Sequence, residues 1–147
     1  MDEMCLEMCK ITRWERGYRL ILDRVDFSVH KKEKVLIRGK IQEDIRQMFL
    51  VASGVTAAQE GTCRISRAGI IPEQFPDLER MRAIDYLLLP LLAQGYNRKQ
   101  AWGRIKSMVK TSTLWEKRMI YADNLTAYEK GVLLSIAALS TEPEILL

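Results

Sequence analysis

Eight residues of this chain hold the positions where phosphate chemistry would be expected: Gly39-Lys40-Ile41-Gln42-Glu43-Asp44-Ile45-Arg46. Before them runs an apolar stretch, Val35-Leu36-Ile37, that reads as a buried strand. After them comes a helical pattern ending in Ser53-Gly54. A strand, a glycine loop and a helix form the setting in which backbone N–H groups and a lysine cradle phosphates, with the pattern G-x-x-x-x-G-K-[ST]. In this frame the second glycine is Asp44, the lysine is Ile45 and the serine or threonine is Arg46. Glycines matter there because they let backbone amides approach an anion at a helix N-terminus. Asp44 adds a Cβ, Glu43 and Asp44 add negative charge beside the anion, and Ile45 removes the lysine's attraction. Lys40 and Arg46 are the remaining cations of the loop. An acidic pair suits a ligand-free helix N-terminus, since carboxylates there cap orphan amides and favour the macrodipole. The expectation is a turn that delivers Asp44 or Glu43 to the first amides of a helix beginning near Ile45.

The elements around this loop alternate between strand and helix periods. Met4 to Trp14 reads as a strand, a turn follows at Glu15-Arg16-Gly17, and Val25, Phe27 and Val29 mark a second strand with Asp26 and Ser28 outward. Gly54 ends the loop helix. Gly61 opens a strand over 62–66, and Ile70-Ile71 a short apolar one stopped by Pro72. Residues 81–92 are helical with Pro90 late in the pattern. Residues 98–109 are amphipathic: Ala101, Ile105, Met108 and Val109 line one face, and Arg98, Lys99, Arg104 and Lys106 occupy much of the other. Thr126-Ala127-Tyr128-Glu129 has the form of a capping box and opens an apolar, buried helix. Glu144 to Leu147 reads as the start of a buried strand.

Composition narrows the function classes. At 147 residues, 48% hydrophobic and 29% charged, the chain is one ordinary globular domain long. Its longest apolar stretch, Tyr86 to Ala93, is far below the roughly 20 residues that span a bilayer. Asp2 and Glu3 stand where a secretory signal carries positive charge. Three cysteines cannot all pair, and with one histidine, His30, the pattern favours structural thiols in a reducing cytoplasm over a metal site. Cys5 and Cys9 are four apart on a strand, hence on one face. The net charge of +4 is spread along the chain and reads mainly as a solvated basic surface, with an anionic membrane face or nucleic acid as the partners it would favour. No aromatic platform supports nucleic acid, which is not expected as a partner.

The order of elements resembles the nucleotide-binding domain of ABC transporters, most closely the lipoprotein-release and macrolide-export type. The residues that carry the likeness are Leu22-Asp23-Arg24-Val25-Asp26-Phe27-Ser28-Val29, Lys34-Val35-Leu36-Ile37-Arg38-Gly39, Ser53-Gly54 with Gly61, Asp85 to Leu92, Ile136-Ala137-Ala138-Leu139 and Pro143 to Leu147. The resemblance implies an α/β, P-loop NTPase-like core with an N-terminal antiparallel β lobe and an inserted helical lobe, incomplete at the C-terminus. Its core would be 1–73 and 125–147 of a single domain, with the helical lobe at 74–124. It places the adenine-stacking aromatic on Trp14, the phosphate loop on Gly39 to Gln47, and the magnesium-sensing glutamine on Glu73, beside Gln74. The signature motif falls on Leu125-Thr126-Ala127-Tyr128-Glu129, where Ala127 and Tyr128 replace the two glycines that touch a γ-phosphate. The magnesium-binding and catalytic carboxylates and the switch histidine fall just beyond Leu147.

What the resemblance then implies is a degenerate homologue, unable to hydrolyse ATP and binding ATP and magnesium weakly at best, with no cofactor expected. It would act as an interaction or regulatory subunit beside a transport permease or a second ATPase subunit, or as a homo-oligomer, in the cytoplasm at the inner face of the membrane. The alternative is an ATP-binding subunit whose remaining catalytic motifs lie in a missing C-terminal segment.

Overall fold

Apolar alternation on long strands dominates the first sixty-odd residues, and they pair as it dictates. The structure is a computed structural model that describes residues 3–15, 18–78 and 80–147. Strands β1 (Met4–Glu15) and β2 (Arg19–His30) run antiparallel, with Met8 opposite Phe27 and Trp14 opposite Leu20. Of the turn expected between them, Arg16 and Gly17 lie outside the described residues. Strand β3 (Glu60–Ile65) adds to the other edge of β1, giving the order β2-β1-β3. The alternation breaks at several register shifts along β1, and one of them carries left-handed backbone on both strands. Lys10 and Arg24 have φ of 50° and 45°, and the β1 register shifts between Met8 and Ile11. This is the geometry of a bulge, and it lets Met8, Ile11 and Thr12 all be buried; a separate shift between Met4 and Leu6 accompanies the burial of both Cys5 and Leu6. Gly61 sits against it with φ 89°, where a Cβ would lie 2.4 Å from the Lys10 carbonyl oxygen. All three cysteines are free, with Cys5 buried and Cys9 half-buried. Burial pushes the Cys63 thiol pKa up.

Helix α1 (Gln42–Ala52) packs on β2 and β3 and buries Val51 and Ala52. Its end matches the expected glycine stop: Gly54 has φ 75°, and its N–H donates to the Val51 carbonyl at 3.0 Å. Its start differs from expectation, at Gln42 rather than near Ile45, so Glu43 and Asp44 stand in its first turn. A second difference is larger. Residues 33–39 form no strand, and Val35 and Leu36 are 49% and 73% exposed, where a buried central strand was expected. A strand buried on both faces needs a ladder partner on each side. Among the described residues none of the named strands pairs with this stretch. The apolar run has the side chains of a central strand but, among the described residues, not its ladder.

The chain divides into two compact units, Met1–Ala68 with Leu147, and Gly69–Leu146. The second is helical. Helix α2 (Ala83–Ala93) packs against α3 (Arg98–Lys110) and α4 (Ala127–Leu139), and a short 3₁₀ turn, Ala122–Asn124, precedes α4. Leu87, Leu88 and Leu91 meet Ala101, Ile105 and Val109 and also Leu133 and Ile136 in one core. Each fully buried Leu or Ile there contributes about 1.5–3 kcal/mol. The amphipathic reading of α3 holds, since Ala101, Ile105 and Val109 are fully buried while its basic residues are exposed. Pro90 lies in the last turn of α2, which continues to Ala93. The short strand expected at Ile70-Ile71 forms two residues earlier, as β4 (Ala68–Gly69), which ladders with β5 (Ile145–Leu146). Gly69 packs its backbone close to α4, where a Cβ would meet the Ala138 carbonyl at 2.7 Å.

Candidate functional site

Apart from Trp14 on β1 and Glu73 in coil, the sequence-predicted residues fall in two places, one in each unit, and the first is the start of α1. Gly39 lies in coil, and a Cβ on it would stand 3.0 Å from Cγ1 and 3.2 Å from Cδ1 of Ile45. The side chain at the lysine position thus folds back over the loop glycine. The helix N-cap is Ile41, in extended conformation, and no side chain caps it. This corrects the expected cap by Glu43 or Asp44. Because the helix starts early, both carboxylates are in its first turn, and their partners lie elsewhere. Glu43 Oε1 accepts from Gln47 Nε2 at 2.6 Å, and Oε2 from Arg46 at 3.4 Å. The Gln47 amide, then Arg46, holds the Glu43 carboxyl below its ordinary pKa against a smaller effect of burial between them. Asp44 pairs with the Arg19 guanidinium, which also reaches Glu15 at 3.1 Å.

A relay backs this turn. Arg13 donates from Nε to Gln47 Oε1 at 2.9 Å, and from its guanidinium to the Ala57 carbonyl at 2.7 Å. Trp14, next along β1, has its backbone clamped by the Gln59 amide at 3.2 and 3.1 Å while the residue stays 45% exposed. Lys40 is exposed on the loop. Arg46, the other cation of the loop, turns to Glu43. Arg13, Arg19, Gln47 and Gln59 were missed by sequence reasoning. Only Gln47 had a signal, its i,i+4 spacing from Glu43. The others act through sheet register, which no local spacing reveals. An open groove of about 350 Å³ lies at the β1 bulge, lined by Cys9, Lys10, Arg24, Glu60, Gly61 and Thr62, away from all of these loop residues.

The second place is the N-terminus of α4. Thr126 accepts from the Glu129 N–H at 3.3 Å and Glu129 Oε2 accepts from the Thr126 N–H at 2.9 Å, so the expected capping box is formed. Lys117 donates to the same Glu129 carboxylate, which is buried. Lys117, then the Thr126 N–H, holds the Glu129 carboxyl below its ordinary pKa. Leu125 is buried, Thr126 and Ala127 are exposed, and Tyr128 is 70% exposed. Glu73 is exposed in coil. Sequence reasoning missed Lys117 as the partner of Glu129 and a second capping box, Asn97 with Gln100, at the start of α3. Among the described residues no group of three or more His, Cys, Asp or Glu is placed to hold a metal ion. Among them also, no helix is long and apolar enough to cross a membrane.

No known family profile matches the chain, and no curated protein matches it. Solved structures do. It is similar to an ATP-binding subunit of an ABC transporter, at TM-score 0.84 and 17% identity, covering 97% of this chain and 64% of that one. It is also similar to CbiO1 from Clostridium perfringens, part of the ABC transporter complex CbiONQ, at TM-score 0.77 and 13% identity, over 99% of this chain and 64% of that one. The dimeric bacterial ABC transporter cassette MJ0796 gives TM-score 0.78 and 18% identity, over 96% and 72%. The fold is therefore that of the ABC-type ATP-binding cassette, with its antiparallel β lobe and its helices. The chain spans less than two thirds of the first of these structures' length, and at such identities the likeness shows the fold alone.

Proposed function

We propose that this chain is a degenerate ABC nucleotide-binding-domain homologue of the lipoprotein-release and macrolide-export type, one that does not hydrolyse ATP. In this reading it acts as an interaction or regulatory subunit at the inner face of the membrane, beside a permease or a second ATPase subunit. The observation that carries it is the start of α1. Ile45 packs over Gly39, and the first helical turn carries two carboxylates already paired with Arg19, Arg46 and Gln47. An incoming phosphate would have to displace that side chain and face like charge, at an N-terminus where such sites present bare amides. The solved structures support the kind of partner: one is dimeric and one is part of a transporter complex.

Titration with a fluorescent ATP analogue and magnesium tests the reading. The wild-type chain is expected to show no saturable binding in the low micromolar range and no turnover above background. The double variant Asp44→Gly with Ile45→Lys is expected to bind more tightly. Low-micromolar binding by the wild-type chain would overturn the reading in favour of an ATP-binding subunit whose catalytic carboxylates lie outside this sequence. Co-purification with a permease tests the partner.

A further inference from the structure

Charge in the second unit is segregated. Between Arg98 and Arg118 stand seven basic residues and one acidic residue, Glu116, while the remainder of Gly69–Leu146 carries three basic residues and eight acidic ones. Some of these cations are held by pairing: Arg98 to Asp85 at 2.6 Å, Arg104 to Glu142 at 3.5 Å, and Lys117 to Glu129. Lys99, Lys106 and Lys110 are exposed and make no ion pair among the described residues. At 3.6 residues per turn the three fall within an arc of about 40° and span roughly 16 Å along α3. The opposite side of α3, at Ala101, Ile105 and Val109, is fully buried, which fixes the lysine stripe outward. Gly103 lies between Lys99 and Lys106, and nothing comes within 4 Å of where its Cβ would be. A flat surface can therefore approach the helix closely.

An aromatic border runs along one side of the stripe. Trp102, about 60° around the helix from Lys99, stacks on Trp115 with ring centroids 6.3 Å apart and planes at 14°. Arg118 lies over the Trp115 ring at 4.3 Å. We propose that the Lys99–Lys106–Lys110 stripe docks this chain on an anionic phospholipid surface, with Trp102 at its border. Three observations favour lipid. The lysines are compact point charges without the forked geometry that reads individual groups. The surface is a convex helix face and offers no groove for a peptide. Trp115 is already covered by Trp102 and Arg118, so it offers no platform for a nucleobase, which single-strand recognition requires.

The test is co-sedimentation of the full chain with vesicles of phosphatidylcholine alone and of phosphatidylcholine with phosphatidylserine. Binding is expected only with phosphatidylserine, and it weakens as salt shortens the range of the field. A lysine at such a surface contributes roughly five-fold in affinity, so Lys99→Gln, Lys106→Gln and Lys110→Gln together lose on the order of 100-fold. The control Lys34→Gln, Arg38→Gln and Arg64→Gln removes the same net charge from exposed residues of the other unit, and it is expected to retain most of the binding. Equal loss in both triples, or no preference for phosphatidylserine, overturns the proposal. So does tighter, stripe-dependent binding to single-stranded DNA or to an acidic peptide. The vesicles carry no permease and the assay no nucleotide, so its outcome is separate from that of the proposed function.

Discussion

Two helix N-termini with acidic first turns behave differently in this chain, and the difference lies in single residues. At α4, Glu129 reaches back to the Thr126 N–H and forward to Lys117. At α1, Glu43 and Asp44 reach sideways to Gln47, Arg46 and Arg19, and the cap is left to Ile41, which has no side-chain acceptor. Thr126→Ala is expected to cost about 1 kcal/mol, the usual value of a lost cap, measured from the urea midpoint. Asp44→Ala removes a partly exposed ion pair and no cap, so it is expected to cost between about 0 and 1 kcal/mol. Glu129 adds a pH dependence. Its folded pKa is lowered from the ordinary 4.5, chiefly by Lys117. The stability this contributes is fully present above the unfolded value and lost as pH falls through the folded one. Glu129→Gln is therefore expected to unfold at lower urea than wild type at neutral pH. The gap should close as pH falls below 4.5, and a gap constant with pH would show that the charge plays no part.

At the scale of elements, what the sequence made legible follows from what kind of interaction builds each one. Helices α2, α3 and α4 and strand β1 are specified by side-chain period and lie close to where that period places them, whereas β2 begins earlier, at Arg19, than the Val25 that marked it. The Thr126–Glu129 box and the Gly54 stop are local signals and were legible too. Residues 33–39 were misread because a central strand is defined by its ladder partners, which period does not encode. The start of α1 was misread because the glycine-loop frame set the expectation, whereas an acidic Gln42-Glu43-Asp44 run is itself a helix-start signal. The bulge at Lys10 had no signal except Gly61, whose partner on β1 is some fifty positions away in the chain. Glycine substitution separates these cases. Gly54 has φ 75° with open space around its missing Cβ, so Gly54→Ala is expected to cost about 1–2 kcal/mol from backbone strain alone. Gly61 has φ 89° and two carbonyl oxygens at 2.4 and 2.5 Å, so Gly61→Ala adds a backbone clash and is expected to cost clearly more. Equal urea midpoints for the two variants would remove the bulge from its place in the β lobe.

For the whole molecule, the consequential feature is apolar surface that the described residues leave uncovered. In the first unit Val35, Leu36, Ile41 and Val55 are 49%, 73%, 46% and 66% exposed. Scattered exposed apolar residues need no explanation, but Val35, Leu36 and Ile37 are consecutive and lie in a stretch without ladder partners among the described residues. An extended apolar segment with unpaired N–H and C=O groups is a template for a strand of another chain. The isolated chain is therefore expected to self-associate as its concentration rises, with loss of monomer in sedimentation velocity. Leu36→Lys places a charge at the most exposed apolar position of the stretch and is expected to return the chain to monomer without lowering its urea midpoint, since Leu36 is mostly in water already. Control substitution of Tyr128, also 70% exposed but on the helical unit, is expected to leave self-association unchanged. If Leu36→Lys associates as wild type does, the 33–39 stretch is not the adhesive surface. If it unfolds instead, Leu36 has packing that its exposure does not reveal. Backbone hydrogen exchange supplies the independent check: residues 34–38 should exchange rapidly in dilute monomer and be protected in the associated form, because pairing with a second chain would replace the water their amides face in the monomer.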